Sequence, residues 1–178
     1  MSRGDAGIRL RTLDRDEFAA YRERSIPAYA DEVARARGLD VGAALRLAEE
    51  SFPPSLEAVT EGGQWLFRAV LDGIDVGWLW LGPPPNGSTG LWIYDIEIDE
   101  EHRGEGLGRA LMLAAEQVVR ESGHEHLGLN VFGWNSRAES LYRSLGYEVM
   151  STLMRKKLTN EMLDGDLADG DTTLDGGR

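Results

Sequence analysis

The stretch Leu91-Trp92-Ile93-Tyr94-Asp95-Ile96-Glu97-Ile98-Asp99-Glu100-Glu101-His102-Arg103-Gly104-Glu105-Gly106-Leu107-Gly108-Arg109 decides the fold. Its first part, Leu91 to Ile98, reads as a strand. Its end opens a helical run to Ser122, with apolar residues at Leu107, Ala110, Leu111, Ala114, Ala115 and Val118 and a stop at Gly123. Three glycines crowd the joint. Glycine lacks Cβ and tolerates positive φ, so consecutive N–H groups can converge on one point. That point lies at a helix N-terminus, where four N–H groups lack internal partners and the macrodipole is positive. A strand, glycine turn and helix in this order make a site for phosphate or pyrophosphate.

Two common nucleotide motifs fail on this string. The dinucleotide fingerprint needs glycine at position 109, where Arg109 stands, and the G-x-x-x-x-G-K-[ST] loop is absent. What is present is R-x-x-G-x-G, from Arg103 through Gly106 to Gly108. Some thirty residues on, Asn135 to Tyr147 (NSRAESLYRSLGY) follows N-x-x-A-x-x-x-Y-x-x-x-G-[FY]. Together these segments resemble the two signatures of the GNAT superfamily of N-acetyltransferases. The resemblance covers residues 8–158, with its specific part at 91–150.

Working outward, Ile8 to Leu13 alternates as a short strand. Asp14-x-x-Glu17 has capping-box spacing and opens a helix to about Arg24; Pro27 follows, and Gly38 separates helical stretches over 28–37 and 41–50. Trp65 to Leu71 and Ile74 to Leu81 are strands joined by Asp72-Gly73, a type I′ hairpin signal. The run Gly82 to Ser88 is a loop. Leu127, Leu129 and Val131 alternate as a strand. Ser136-x-x-Glu139 is a second capping box, opening a helix that ends at Gly146, and 147–158 reads as a final strand. The resemblance implies an α/β (α+β mixed) fold, a twisted mixed sheet with helices on both faces, in the order β-α-α-β-β-β-α-β-α-β. The expected organisation is a flexible start over 1–7, one domain over 8–158, and an acidic, disordered tail over 159–178. That tail carries six acidic residues against Arg178.

Composition bounds the function. The chain has 178 residues, 42% of them hydrophobic, as one globular domain requires. It has no cysteine, so disulfides, thiolate–zinc sites and a cysteine nucleophile are excluded. A net charge of −12 argues against nucleic acid and weakly favours a cationic substrate. The polar start and the lack of a long apolar run point to a cytoplasmic protein without membrane association; monomer and homodimer both stay open. His124-Glu125-His126 lacks a third ligand nearby, so no metal is expected.

The resemblance implies acetyl-CoA as cosubstrate and a primary amine as acceptor, with direct sequential transfer. On that basis the cofactor turn is Arg103, Gly104, Glu105, Gly106, Leu107, Gly108 and Arg109. The pantetheine arm pairs with Ile96, Glu97 and Ile98 as an added strand would, a backbone amide there serves the oxyanion, and Asn135 bonds the arm. Asn135 reads equally as a helix cap. Tyr142 is the general acid by the signature, although Ala138, Leu141, Tyr142 and Leu145 share a helical face and a core aromatic is the alternative. Asp95 is the candidate base and Glu97 a weaker one, on one strand face at i, i+2. Asn130 stands where some members of the family carry a glutamate, and an amide cannot take the proton. A water chain would dispense with a base altogether. Trp134 is read as packing or as lining a substrate channel. A non-catalytic acyl-CoA-binding module is the alternative function.

Overall fold

The computed structural model describes residues 7–158. They form β1 (Arg9–Thr12), α1 (Arg15–Arg37), α2 (Val41–Ser51), α3 (Leu56–Glu61), β2 (Trp65–Leu71), β3 (Ile74–Gly82), β4 (Leu91–Ile98), α4 (Leu107–Glu121), β5 (Leu127–Leu129) and α5 (Ser136–Ser144). One turn of 3-10 helix, Glu100–His102, joins β4 to the glycine segment. The residues divide into two compact units, one ending at Leu145 and one starting at Gly146.

The five strands lie in chain order, antiparallel from β1 to β4, with β5 parallel to β4. Asp72 and Gly73 both take positive φ, 51° and 83°, as a type I′ turn requires. Trp78 and Trp80 of β3 join Phe18, Tyr21, Phe52 and Val59 in one buried cluster, so that sheet face is covered by α1 and α3. Strand alternation turns Leu79 and Leu81, fully buried, to the other face, which packs against α4. Helices therefore cover both faces, as expected.

Position 14 is an intact capping box. Asp14 accepts from the Glu17 amide at 2.9 Å, and Glu17 accepts from the Asp14 amide at 2.9 Å. Arg11 clamps the same carboxylate at 2.7 Å and holds its pKa down at about 2, first through that hydrogen bond and then through the Asp14 amide. A carboxylate depressed on folding stabilises above its unfolded pKa, 4.5, and loses that contribution as pH falls toward about 2. Glu17→Gln is expected to cost about 1–2 kcal/mol at neutral pH. Thermal melts from pH 7 to 2 should show the wild-type advantage disappearing at the acid end.

Five expectations need correction. The first helix does not stop near Arg24; α1 runs through Pro27 to Arg37. Pro27 lacks an N–H for the Glu23 carbonyl, but both residues lie on the exposed face, where that carbonyl is open to solvent, while Phe18, Tyr21, Ser25, Ala30 and Val33 pack inward. An unexpected α3 begins right after Pro53-Pro54, capped by the Ser55 hydroxyl on the Ala58 amide. The last helix is capped by Asn135 rather than Ser136, its side chain accepting from the Ala138 amide at 3.1 Å. Glu139 pairs instead with Arg143 at 2.8 Å, so the second capping box is not formed. Finally, 147–158 is no strand: alternation offers a face but not a partner, and Val149, Met150, Leu153, Met154 and Leu158 are exposed. Strand β5 is also short, ending at Leu129 before Val131. The flexible start and disordered tail fall, apart from Gly7, outside the described residues.

Candidate active site

Two breaks in regular pairing build the site. The first lies in β4. Trp80 pairs with Asp95 but Leu81 pairs with Ile93, so Tyr94 is an extra residue, a bulge. Tyr94 stacks on Trp80 with centroids 4.9 Å apart and donates its hydroxyl to the Pro83 carbonyl at 2.7 Å. Across the bulge the alternation changes sense. Ile93 and Ile96 pair with Leu81 and Leu79 toward α4, whereas Asp95 and Glu97 pair with Trp80 and Trp78 toward α1. The second break is that β5 pairs with β4 only from Leu91 to Ile93. Beyond Ile93 the β4 edge is open, and a cleft of about 540 Å³ runs along it.

Ile96, Glu97 and Ile98 form one wall of that cleft, the turn from Arg103 to Arg109 its floor, and α5 the other wall. Gly104 and Gly106 have φ of 89° and 83°, a left-handed conformation that costs any β-branched residue. A Cβ at either would meet no protein atom within 4 Å. Leu107 and Gly108 follow as the first helical residues of α4, presenting amides that have no acceptor within the helix. The turn thus fits a diphosphate in both shape and sign. Arg103 and Arg109 line the cleft with protein partners of their own. Arg103 binds Glu97 at 2.8 Å and the Ile98 carbonyl at 3.0 Å, and Arg109 donates to the Ser144 hydroxyl. Asn135 lines the cleft while its oxygen caps α5, leaving its NH₂ group as donor. Of the residues expected in the turn, Glu105 alone does not line the cleft.

The two carboxylates differ. Glu97 is pinned between Arg24 at 2.9 Å and Arg103 at 2.8 Å. Asp95 accepts from the Tyr21 hydroxyl at 2.6 Å. Burial raises the Asp95 pKa, with the Glu97 charge adding to it, while the Tyr21 bond, the Arg24 charge and the Ile96 amide oppose the rise. Tyr142 lines the cleft, half-buried. Burial and then the Asp95 charge push its phenol further above the ordinary value. The Asp95 carboxyl and the Tyr142 phenol therefore share one field near the open edge of β4.

Residues 26–147 match the model of the acetyltransferase (GNAT) family. The chain belongs to this family. It is an acetyl-CoA-dependent N-acetyltransferase. It is 30% identical over 154 residues to the uncharacterized N-acetyltransferase YycN of Bacillus subtilis, covering 85% of this chain and 99% of that one. It is 28% identical over 152 residues to a second from the same organism, YdgE, covering 84% and 97%. The crystal structure of YycN superimposes with a TM-score of 0.77 over the same 85% and 99%.

In this acetyltransferase the cleft brings together Ile96, Glu97, Ile98, the turn, Asn135 and Tyr142, and the Asp95 carboxylate lies behind them, toward α1. Trp134 is set apart. It stacks flat on Phe132 with centroids 4.8 Å apart, and the Arg35 guanidinium lies 4.2 Å above it. Among the described residues no group of three or more acidic or histidine side chains is placed to hold a metal. Nor is any helix there long and apolar enough to cross a membrane. Sequence reasoning missed Tyr21 and Arg24, the α1 partners of Asp95 and Glu97. The one signal for Tyr21 was spacing on the inward face of α1, which any packed helix shows, and exposed Arg24 gave none.

Proposed function

We propose that the protein transfers acetyl from acetyl-CoA directly to a cationic primary amine, with Asp95 as base and Tyr142 as acid, in one catalytic unit over residues 8–158. The observation that carries this reading is the Tyr142 phenol lining the cleft at the unpaired edge of β4, within the field of the Asp95 charge and adjoining the positive-φ turn. The turn amides hold the pyrophosphate, and the Asn135 NH₂ group and the edge from Ile96 to Ile98 align the pantetheine arm. An edge amide donates to the carbonyl oxygen as it gains charge. The nitrogen attacks as the neutral amine, its ammonium proton already lost to solvent; Asp95 takes the second proton, which the nitrogen sheds as it bonds to the carbonyl carbon, and passes it to solvent. Tyr142 gives its proton to sulfur as the carbon–sulfur bond breaks, and regains one from solvent. With Glu97 neutralised by two arginines, Asp95 is the better base.

The carboxylates of Glu32 and Asp95, neither of them in an ion pair among the described residues, support a cationic acceptor. Burial raises the Glu32 pKa, and the charges of Asp95 and then Glu97 raise it further. Thiol release from acetyl-CoA, measured with spermidine, kanamycin, a lysine peptide and a peptide with only its N-terminal amine, should favour the polycations. Equal rates with all four would remove charge from acceptor choice. Asp95→Asn should lose about 10²-fold or more on the plateau above the wild-type acid limb. Superimposable pH profiles for wild type, Asp95→Asn and Glu97→Gln would assign deprotonation to solvent.

A further inference from the structure

Tyr21 is the largest fully buried side chain of the apolar cluster, with 1% of its surface exposed. Its ring packs against Trp78 at 5.1 Å and Phe52 at 6.1 Å. Packing alone would be served by phenylalanine, since a hydroxyl in such surroundings is costly unless bonded. The hydroxyl is bonded on both sides. Ser25, one turn along α1 and itself buried, hydrogen-bonds the phenol oxygen, and the phenol donates to Oδ2 of Asp95. Ser25 is the sole buried polar side chain besides that phenol in the described core. Two polar groups at i, i+4 on the inward face of α1 thus end on one carboxylate of β4.

We propose that Tyr21 is a positioning residue for the acetyl transfer: steadied by Ser25, it holds the Asp95 carboxylate in one rotamer with its free lone pairs toward the amine. The inference rests on Asp95 being the base. The charged and titratable groups facing Asp95 are Tyr21, Arg24 and Glu32 from α1, Glu97 from β4 and Tyr142 from α5. Arg24 is engaged by Glu97 at 2.9 Å and Asp99 at 3.5 Å, and the Ile96 amide is fixed by the strand. The Tyr21 phenol touches the carboxylate directly and can be removed without disturbing an ion pair. A hydrogen bond to an ionised carboxylate lowers its pKa and, in a packed interior, restricts its rotation.

The test compares wild type, Tyr21→Phe, Ser25→Ala and Asp95→Asn as full-length proteins. The Asp95 carboxyl carbon is followed by 13C NMR across pH, its signal assigned by its loss in Asp95→Asn. Steady-state rates use the panel amine with the highest turnover. Tyr21→Phe is expected to raise the Asp95 pKa by about one unit and lower kcat about tenfold, with KM for acetyl-CoA unchanged. Ser25→Ala should move both in the same direction by less, and covers the case in which Tyr21→Phe fails to fold. Asp95 titration and kcat at wild-type values in the folded variants would overturn the proposal. If the titration moves but neither Tyr21→Phe nor Asp95→Asn changes kcat, Asp95 is not the base. If Asp95→Asn is impaired while Tyr21→Phe is not, Asp95 is the base and needs no positioning.

Discussion

Tyr142→Phe is expected to lower kcat and kcat/KM together by about 10²- to 10⁴-fold while leaving acetyl-CoA affinity intact. A phenol that protonates the departing thiolate contributes in the transition state and hardly at all before it, so its loss leaves binding alone. At roughly 1.4 kcal/mol per decade, the effect is about 3–5 kcal/mol of barrier. The structure gives the phenol two properties this role needs. It lines the cleft, and burial with the Asp95 charge keeps it protonated beyond the ordinary tyrosine range. The sign follows: a raised pKa keeps the acid competent at higher pH, so the alkaline limb of the wild-type profile should lie above the ordinary tyrosine value. A purely structural hydroxyl would instead shift stability by about 1 kcal/mol with turnover preserved. A folded Tyr142→Phe enzyme with more than half the wild-type kcat would return Tyr142 to the core.

Gly106→Val carries the second large effect, on binding rather than turnover. Gly106 is the N-cap of α4 and sits at φ 83°. Valine there is strained by about 1–3 kcal/mol, and relaxing φ would rotate the following amides away from the cleft. Its branched side chain would also enter space that no protein atom occupies within 4 Å of the Cβ position. Calorimetric titration with acetyl-CoA should show binding reduced by at least about two decades, or about 2.7 kcal/mol. Gly106→Ala, smaller but under the same backbone constraint, should fall between. Wild-type affinity in folded Gly106→Val would remove the turn from the cofactor site.

The sequence was most readable where local chemistry and tertiary structure agree. Strand 91–98, the Asp72-Gly73 hairpin and the helix from Leu107 each carry their own signals, and each stands within a residue of its expected bounds. Reading failed where a distant partner decides. The helix through Pro27 persists because packing on its inner face outweighs one lost hydrogen bond on its outer face. Alternation over 147–158 describes a surface without specifying what it pairs with. At position 135 two caps competed, and Asn135 prevailed over Ser136.

The site divides the same way. Turn glycines, Asn135 and Tyr142 were legible because adjacent residues make the pattern. Spacing puts Asp95 and Glu97 on one strand face and does not rank them. What separates them comes from α1, some seventy residues earlier: Tyr21 meets Asp95, and Arg24 meets Glu97. The Tyr94 bulge, which sends both carboxylates toward α1, shows only in the register against β3.

The central claim is direct transfer from acetyl-CoA to an amine in the β4-edge cleft. Single-turnover mixing of excess enzyme with acetyl-CoA, with and without spermidine or the lysine peptide, tests it most directly. Free thiol, acetylated amine and intact protein mass are followed together. Direct transfer predicts thiol release that requires the amine, equal formation of N-acetylated amine, and an unchanged protein mass throughout. Thiol release independent of amine, or a protein that gains one acetyl group before the amine does, would contradict it.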